Sequence, residues 1–345
     1  MKKTLSYAIN ILFIAVIGYL TFRLLFGDTE IEVILADLHR ADKIWLAAGI
    51  LCVFFFVSGE SVIIKYMLTM FGDGTPFYRC LKYSFIGFFY SCITPSSSGG
   101  QPAQVFYMKK DGIKIGYSSL IMLVVTVAYK AVLVIFGVVF FIFKYSFVVK
   151  HVGSWMWLLA VGFLLNIAYI AGLVFIFFRP LWAKAAGIRI AGFLCRIHVL
   201  KQKNLAKYTD KIERICNNYM NGAEYINGNV RAVLNIFLIT AVQRLFLLAV
   251  TYVVYRSYGL SGTSFIGIVA IQTMIAITVE MLPLPGAAGI TEACFIVMFT
   301  GIFTDEYVRS AMLLSRGLSF YLLLVMSAAV TLVAHILCMR KSSAQ

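Results

Sequence analysis

The residues of this chain best suited to chemistry are those that interrupt its apolar runs. Two interruptions combine proline, glycine and small polar residues: Thr94-Pro95-Ser96-Ser97-Ser98-Gly99-Gly100-Gln101-Pro102 and Pro283-Leu284-Pro285-Gly286-Ala287-Ala288-Gly289. Proline has no N–H to donate and glycine adopts turn conformations freely, so each segment should break a helix. Where a helix restarts, its first N–H groups lack partners and its dipole is positive, which suits a phosphate or another anion. Ser96, Ser97, Ser98, Gln101 and Gln104 add uncharged donors beside the first break. The competing reading of each segment is a tight turn between two helices in contact.

Seven ionisable residues lie inside apolar runs: Glu60, Lys65, Lys130, Arg244, Glu280, Glu292 and Arg316. If those runs cross a bilayer, each charge costs at least about 2.5 kcal/mol at the centre, so each is a candidate for function. Glu280 and Glu292 flank the second break, while Lys130, Arg244 and Arg316 fall near the middle of three long runs. Pairing of carboxylates with cations across a helix bundle is therefore expected. For any one of them, structural pairing or snorkelling stands beside contact with a substrate. Glu60 and Lys65 lie toward one end of their run and are read as positioning residues. Asn166, Gln243 and Gln272 are expected to hydrogen-bond between helices. The candidate binding set is Pro95, Ser96, Ser97, Ser98, Gly99, Gly100, Gln101, Gln104, Lys130, Arg244, Glu280, Pro285, Gly286, Gly289, Glu292 and Arg316.

The elements that must hold these residues follow from composition. Of 345 residues, 61% are hydrophobic and 13% charged, too little polar sequence to cover a water-soluble core. Leu5 to Phe26, Ile44 to Phe71 and Ile115 to Phe143 each exceed the roughly 20 residues that span a bilayer. They show no period-two alternation, which excludes an outer-membrane barrel and predicts an all-α polytopic membrane protein. The net charge of +15 would suggest a nucleic-acid partner in a soluble chain. Here the cations flank apolar spans, so anionic lipid headgroups are the expected partners and no nucleic acid is expected. The seven cysteines show no CxxC and no metal-ligand spacing, and neither a metal nor another cofactor is expected.

Positive charge favours the cytoplasmic side. Lys2 and Lys3 place the N-terminus inside, ahead of a first span that is expected to be retained, and Gly27 to Lys43, with five acids, fits an outside loop. Arg179 to Arg214 holds nine cations against Asp210 and Glu213 and should lie inside, within a basic loop over 179–228. In it Leu205, Tyr208, Ile212, Ile215, Tyr219 and Ile226 recur at helical spacing, predicting an amphipathic helix that lies on the membrane or on neighbouring helices, or docks another protein. Both ends of 79–110 are then cytoplasmic and both ends of 263–309 external, although each has an apolar, broken middle. The expectation is one domain over 1–345, with about six full spans and two opposed re-entrant hairpins over 79–110 and 263–309. The C-terminus ends inside at Met339-Arg340-Lys341. Opposed discontinuous helices are the mark of an inverted-repeat transporter, because unwound backbone within a membrane is tolerable only where it lines a cavity.

With these two breaks, and Ile290-Thr291-Glu292 after the second, the chain resembles the lysylphosphatidylglycerol synthase transmembrane (flippase-like) family. Its members form the membrane half of the bacterial multiple peptide resistance factor and also occur alone. The resemblance spans nearly the whole chain, although Ala287 stands where many relatives have a second glycine, and Gln101 and Gln104 where many have a charged residue. It implies a bacterial plasma membrane and movement of lipids such as lysylphosphatidylglycerol between leaflets. In two-domain relatives a separate soluble domain transfers the aminoacyl group. The longest stretch here outside the apolar spans is about 50 residues, too short for that domain, and no GxxxxGK[ST], HExxH or GxSxG sequence occurs. Phosphatidylglycerol lysyltransferase activity, or recruitment of a separate synthase through the 205–226 helix, are the alternatives to transport.

Overall fold

The computed structural model describes residues 39–179, 205–284 and 286–343, together with 181–182, 184–185 and 188–189. The first apolar run with Lys2, Lys3 and Arg23, most of the acidic stretch, Cys195 and Pro285 lie outside the described residues. What is described is helical: α1 (Lys43–Met70), α2 (Phe77–Ile93), α3 (Gly100–Lys110), α4 (Ile115–Phe143), α5 (Tyr145–Val152), α6 (Met156–Phe178), α7 (Leu205–Asn227), α8 (Val230–Ser257), α9 (Phe265–Val279), α10 (Ile290–Phe299), α11 (Val308–Arg316), a π-helical turn (Gly317–Leu322) and α12 (Leu323–Ser343). Among the described residues five stretches are long and apolar enough to cross a membrane, and the chain is a multi-pass membrane protein. Large apolar side chains such as Leu51, Leu164, Val325 and Leu332 are exposed on the outside of the bundle, where lipid rather than water is the solvent.

The helices begin and end where local chemistry dictates. The Asp42 carboxylate accepts from Ile44 N at 2.8 Å and caps α1, Asn229 accepts from Ala232 N at 3.0 Å and caps α8, and Ser264 accepts from Gly267 N at 3.3 Å at the start of α9. Gly72 (φ +75°) ends α1 ahead of Pro76. Lys65 reaches across this turn and donates to Thr75 O at 2.7 Å, the positioning part expected of it. Hydroxyls inside the bundle donate to the carbonyl four residues earlier, as Thr126, Thr240, Thr273 and Thr278 do, so they need no partner from lipid.

Two quartets share one plan. Long α1, broken α2–α3 and long α4 are matched by long α8, broken α9–α10 and long α11–α12, and α1 packs against α8 at the centre. Side-chain contacts fix the direction of each hairpin. At one end Phe71 stacks on Tyr117, and Lys82 and Tyr83 both bond Asp111, which closes the base of α2–α3. Burial pushes the Asp111 carboxyl up, but these two donors outweigh it and hold it below the ordinary aspartate value. At the opposite end Asp42 N donates to Ser257 O, Arg40 pairs with Glu306, and Tyr255 packs on Phe303 at the base of α9–α10. The hairpins therefore enter the bundle from opposite ends, as the sequence predicts. None of α2, α3, α9 and α10 exceeds 17 residues, or about 26 Å at 1.5 Å per residue, so none crosses the hydrocarbon alone.

The 205–227 helix lies against neighbouring helices. A Cβ at Gly116 would stand 2.7 Å from Ile215 O, and one at Gly222 would stand 2.6 Å from Leu120 Cδ2, so α7 packs closely on the start of α4. Elsewhere Gly162 on α6 lets α9 approach: a Cβ there would lie 2.5 Å from Ile277 O and 2.9 Å from Thr278 Cα. One turn on, Asn166 donates to Ile277 O at 3.2 Å, the interhelical bond expected of it. Because the obstructing atoms are backbone, Gly162→Ala should push α6 from α9 and destabilise the fold by about 2 kcal/mol. Gly172→Ala, on the same helix with nothing within 4 Å, should not. Unfolding midpoints of the two variants in detergent micelles check this contrast.

Candidate functional site

The tips of the two hairpins meet. Ser96 Oγ donates to Leu282 O at 3.4 Å, and a cavity of about 490 Å³ opens where the breaks face each other. Its wall includes Glu60 from α1, Tyr129 and Lys130 from α4, Arg244 from α8, and Arg316 and Phe320 from the last long helix.

Each break has its own internal order. In the first, Thr94 Oγ1 donates to Tyr90 O at 2.6 Å and accepts from Gly99 N at 2.9 Å, while Ser96 (φ +49°) and Ser97 (φ +55°) take the left-handed conformation. The hairpin closes on small residues, since a Cβ at Gly100 would lie 2.7 Å from Gly87 O. The first turn of α3 holds no acidic residue, so its positive end is not neutralised from within. In the second break Gly286 (φ +58°), Ala287 (φ +49°) and Gly289 (φ +88°) reverse the chain, and Glu292 Oε2 accepts from Gly289 N at 2.7 Å. That carboxylate occupies the start of its own helix, whereas the start of α3 has no such internal counter-charge.

The charges cluster in two groups. Arg244, fully buried, holds Glu280 with two bonds, Nη1 to Oε1 at 2.8 Å and Nη2 to Oε2 at 3.0 Å. Lys130 Nζ donates to the same carboxylate at 2.8 Å. Tyr129 accepts from Arg244 Nη1 at 2.7 Å, and its ring centre lies 3.6 Å from the guanidinium carbon. Arg244 Nε has no hydrogen-bond partner among the described residues, which leaves a free donor in the cluster. In the second group Arg316 Nε donates to Glu292 Oε1 at 2.8 Å and Nη2 to Gly286 O at 2.9 Å, so one side chain ties a helix to the break. The π-helical turn begins at the very next residue.

Of the sequence-predicted set, Ser96, Ser97, Ser98, Gln101, Gln104, Lys130, Arg244, Glu280, Gly286 and Arg316 line the cavity. Gly99, Gly100 and Gly289 shape the breaks, and Pro95 ends the turn of α2. Glu292 stands behind Arg316, and Pro285 lies outside the described residues. The sequence-predicted set lacks Tyr129, and it lacks Glu60, which the sequence marks only as a positioning residue. Nothing distinguishes Tyr129 from the other tyrosines except its place beside Lys130. Glu60 looks peripheral in a linear run, but the hairpin brings Gln104 Nε2 to within 2.6 Å of it at the cavity wall.

Ala287 bears the left-handed strain that glycine would avoid. Ala287→Gly should relieve more than it adds to unfolded-chain freedom and stabilise the protein by about 0.5 kcal/mol. A rise in the unfolding midpoint with the cavity charges untouched is the expected reading.

A curated relative, described as "UPF0104 membrane protein" of Archaeoglobus fulgidus (strain ATCC 49558 / DSM 4304 / JCM 9628 / NBRC 100126 / VC-16), is 22% identical over 287 residues, 80% of this chain and 82% of its own length. The profile of the lysylphosphatidylglycerol synthase TM region matches residues 7–327, which takes in both hairpins and every charge of the cavity. This chain belongs to the lysylphosphatidylglycerol synthase transmembrane-region family.

Proposed function

We propose that this protein moves an anionic or aminoacylated phospholipid, such as lysylphosphatidylglycerol, between the leaflets of a bacterial plasma membrane, with both termini cytoplasmic. The observation that carries the reading is the charged cavity at the meeting point of two hairpins that enter from opposite ends. Unwound backbone and buried charge in the middle of a bundle are costly unless they serve a polar passenger.

In this reading the headgroup phosphate lies between the breaks, facing Lys130, Arg244, Arg316 and the start of α3. Ser96, Ser97, Ser98, Gln101 and Gln104 offer uncharged bonds to the glycerol or the ester. An aminoacyl ammonium is received by the Glu280 carboxylate, shared with the cations that already hold it, while Glu292, behind Arg316, keeps the second break in place. The acyl chains stay outside, against the apolar flanks of the hairpins.

The test is leaflet exchange in proteoliposomes, read by quenching of headgroup-labelled phosphatidylglycerol, its lysyl ester and a zwitterionic lipid. Accelerated exchange of the anionic or lysylated lipid is expected. No acceleration of any of the three would reject the proposal.

A further inference from the structure

Glu60 stands apart from the other carboxylates of the cavity. Its side chain is more than nine-tenths buried, and its Oε1 accepts from Gln104 Nε2 at 2.6 Å. Ser84 on α2, which itself accepts from Ser61 at 2.9 Å, adds a hydroxyl as its second neutral partner. Among the described residues no cation pairs with it, whereas Glu280 and Glu292 are each held by cations. The titratable groups that share the cavity wall with it are Cys92 on α2, Tyr129 and Lys130 on α4, Tyr169 on α6, Arg244 on α8, Glu280 at the second break and Arg316, which is held by Glu292; Lys65 lies further along its own helix. Lys130 and Arg244 are committed to Glu280, Tyr129 to Arg244, and Lys65 to Thr75 O. Neutral donors tolerate a carboxyl group in either protonation state, while a paired cation would fix it ionised.

The charge of the cavity then turns on this one residue. Apart from Glu60, the described cluster sets Lys130, Arg244 and Arg316 against Glu280 and Glu292, an excess of one positive charge. With Glu60 ionised the cluster is neutral, and with Glu60 protonated it carries the charge that a monoanionic phosphodiester would cancel. We propose that Glu60 is a proton-binding site linked to the cavity's lipid, so that one proton enters with each anionic headgroup and a transmembrane proton gradient can drive its movement. The inference rests on the lipid reading of the cavity and adds an energy source for the anionic lipids of that reading.

The sign follows from like-charge repulsion. A phosphodiester inside a cavity of about 490 Å³ disfavours a second anion there, so its entry raises the proton affinity of Glu60. By reciprocity, acidification tightens binding of an anionic lipid by up to tenfold per pH unit between the two limiting pKa values of Glu60. A phosphodiester does not itself titrate near neutrality. A zwitterionic headgroup brings no net charge and draws no proton.

Calorimetric titration of the purified full chain with dioctanoyl phosphatidylglycerol, in buffers of different ionisation enthalpy from about pH 5 to about pH 9, counts the protons. Uptake approaching one proton per lipid in part of this range is expected, and close to none with dioctanoyl phosphatidylcholine. Glu60→Gln keeps the side-chain volume and an acceptor for Gln104. It should bind phosphatidylglycerol with no proton uptake and no pH dependence. Binding by the wild-type chain without uptake at any pH, equal uptake with phosphatidylcholine, or unchanged uptake in Glu60→Gln would each overturn the proton site and leave the lipid reading standing. No binding of phosphatidylglycerol at any pH would overturn both.

Discussion

Arg244→Gln should be among the most damaging single changes to this protein, lowering its stability by about 3 kcal/mol and slowing anionic-lipid exchange at least tenfold. The arginine is fully buried and supplies two of the three bonds to Glu280. Removing one partner of a buried pair leaves an uncompensated charge, at about 3–5 kcal/mol. Lys130 remains on the Glu280 carboxylate, which places the effect at the low end of that range. Glu280→Gln should be at least as harmful, since it strands two cations. The double variant Arg244→Gln/Glu280→Gln should lose less than the sum of the two, with a coupling of about 2 kcal/mol, because neither buried side chain is then charged. Unfolding in detergent micelles measures all three. Additive losses would show that the pair contributes no mutual stabilisation.

Arg316→Lys should behave as a disruptive change although it keeps the charge. The guanidinium reaches Glu292 Oε1 with Nε and Gly286 O with Nη2 at once, and its plane lies over Phe320 at 4.4 Å. A lysine ammonium is a single point on a flexible stem and cannot hold both acceptors in that geometry. Arg316→Gln, which leaves Glu292 buried with only the Gly289 N–H, should lose about 3 kcal/mol. Arg316→Lys should recover about half of that while still loosening the second break. Hydrogen exchange of the 286–292 amides separates the two effects, with faster exchange expected in both variants. Protection equal to wild type in Arg316→Lys would mean that the Gly286 contact does not order the break.

Much of this arrangement was legible in the sequence because it is written in strong local signals. Pro95 with Gly99-Gly100, and Pro283 with Gly286, interrupt helices whatever surrounds them, and the Lys/Arg distribution predicts that the two hairpins are opposed. Charges within apolar runs announce themselves, and Lys130, Arg244, Glu280, Glu292 and Arg316 do pair. What escaped depends on contacts across the chain. Gln104 and Glu60 are 44 positions apart, and only the fold joins them. Gln101 and Gln104 look equivalent, yet Gln104 is buried against Gly87 while Gln101 faces the cavity less covered. The π-helical turn over Gly317–Leu322 opens on a single glycine and holds no proline, too weak a local signal to announce a widened register. An amphipathic pattern over 205–226 predicts an apolar face and is silent on whether lipid, another protein or α4 covers it.

The touch between Ser96 and Leu282 has a mechanical consequence. A long hydroxyl-to-carbonyl bond between neutral groups is worth about 1 kcal/mol or less, while the ion pairs at Glu280 and Glu292 are several times harder to part. The enclosure thus has rigid corners and one soft seam, placed where the two tips abut. Thermal agitation alone parts such a seam, so the first yielding of the chamber should begin at the serine tip, with the charged corners serving as its hinges.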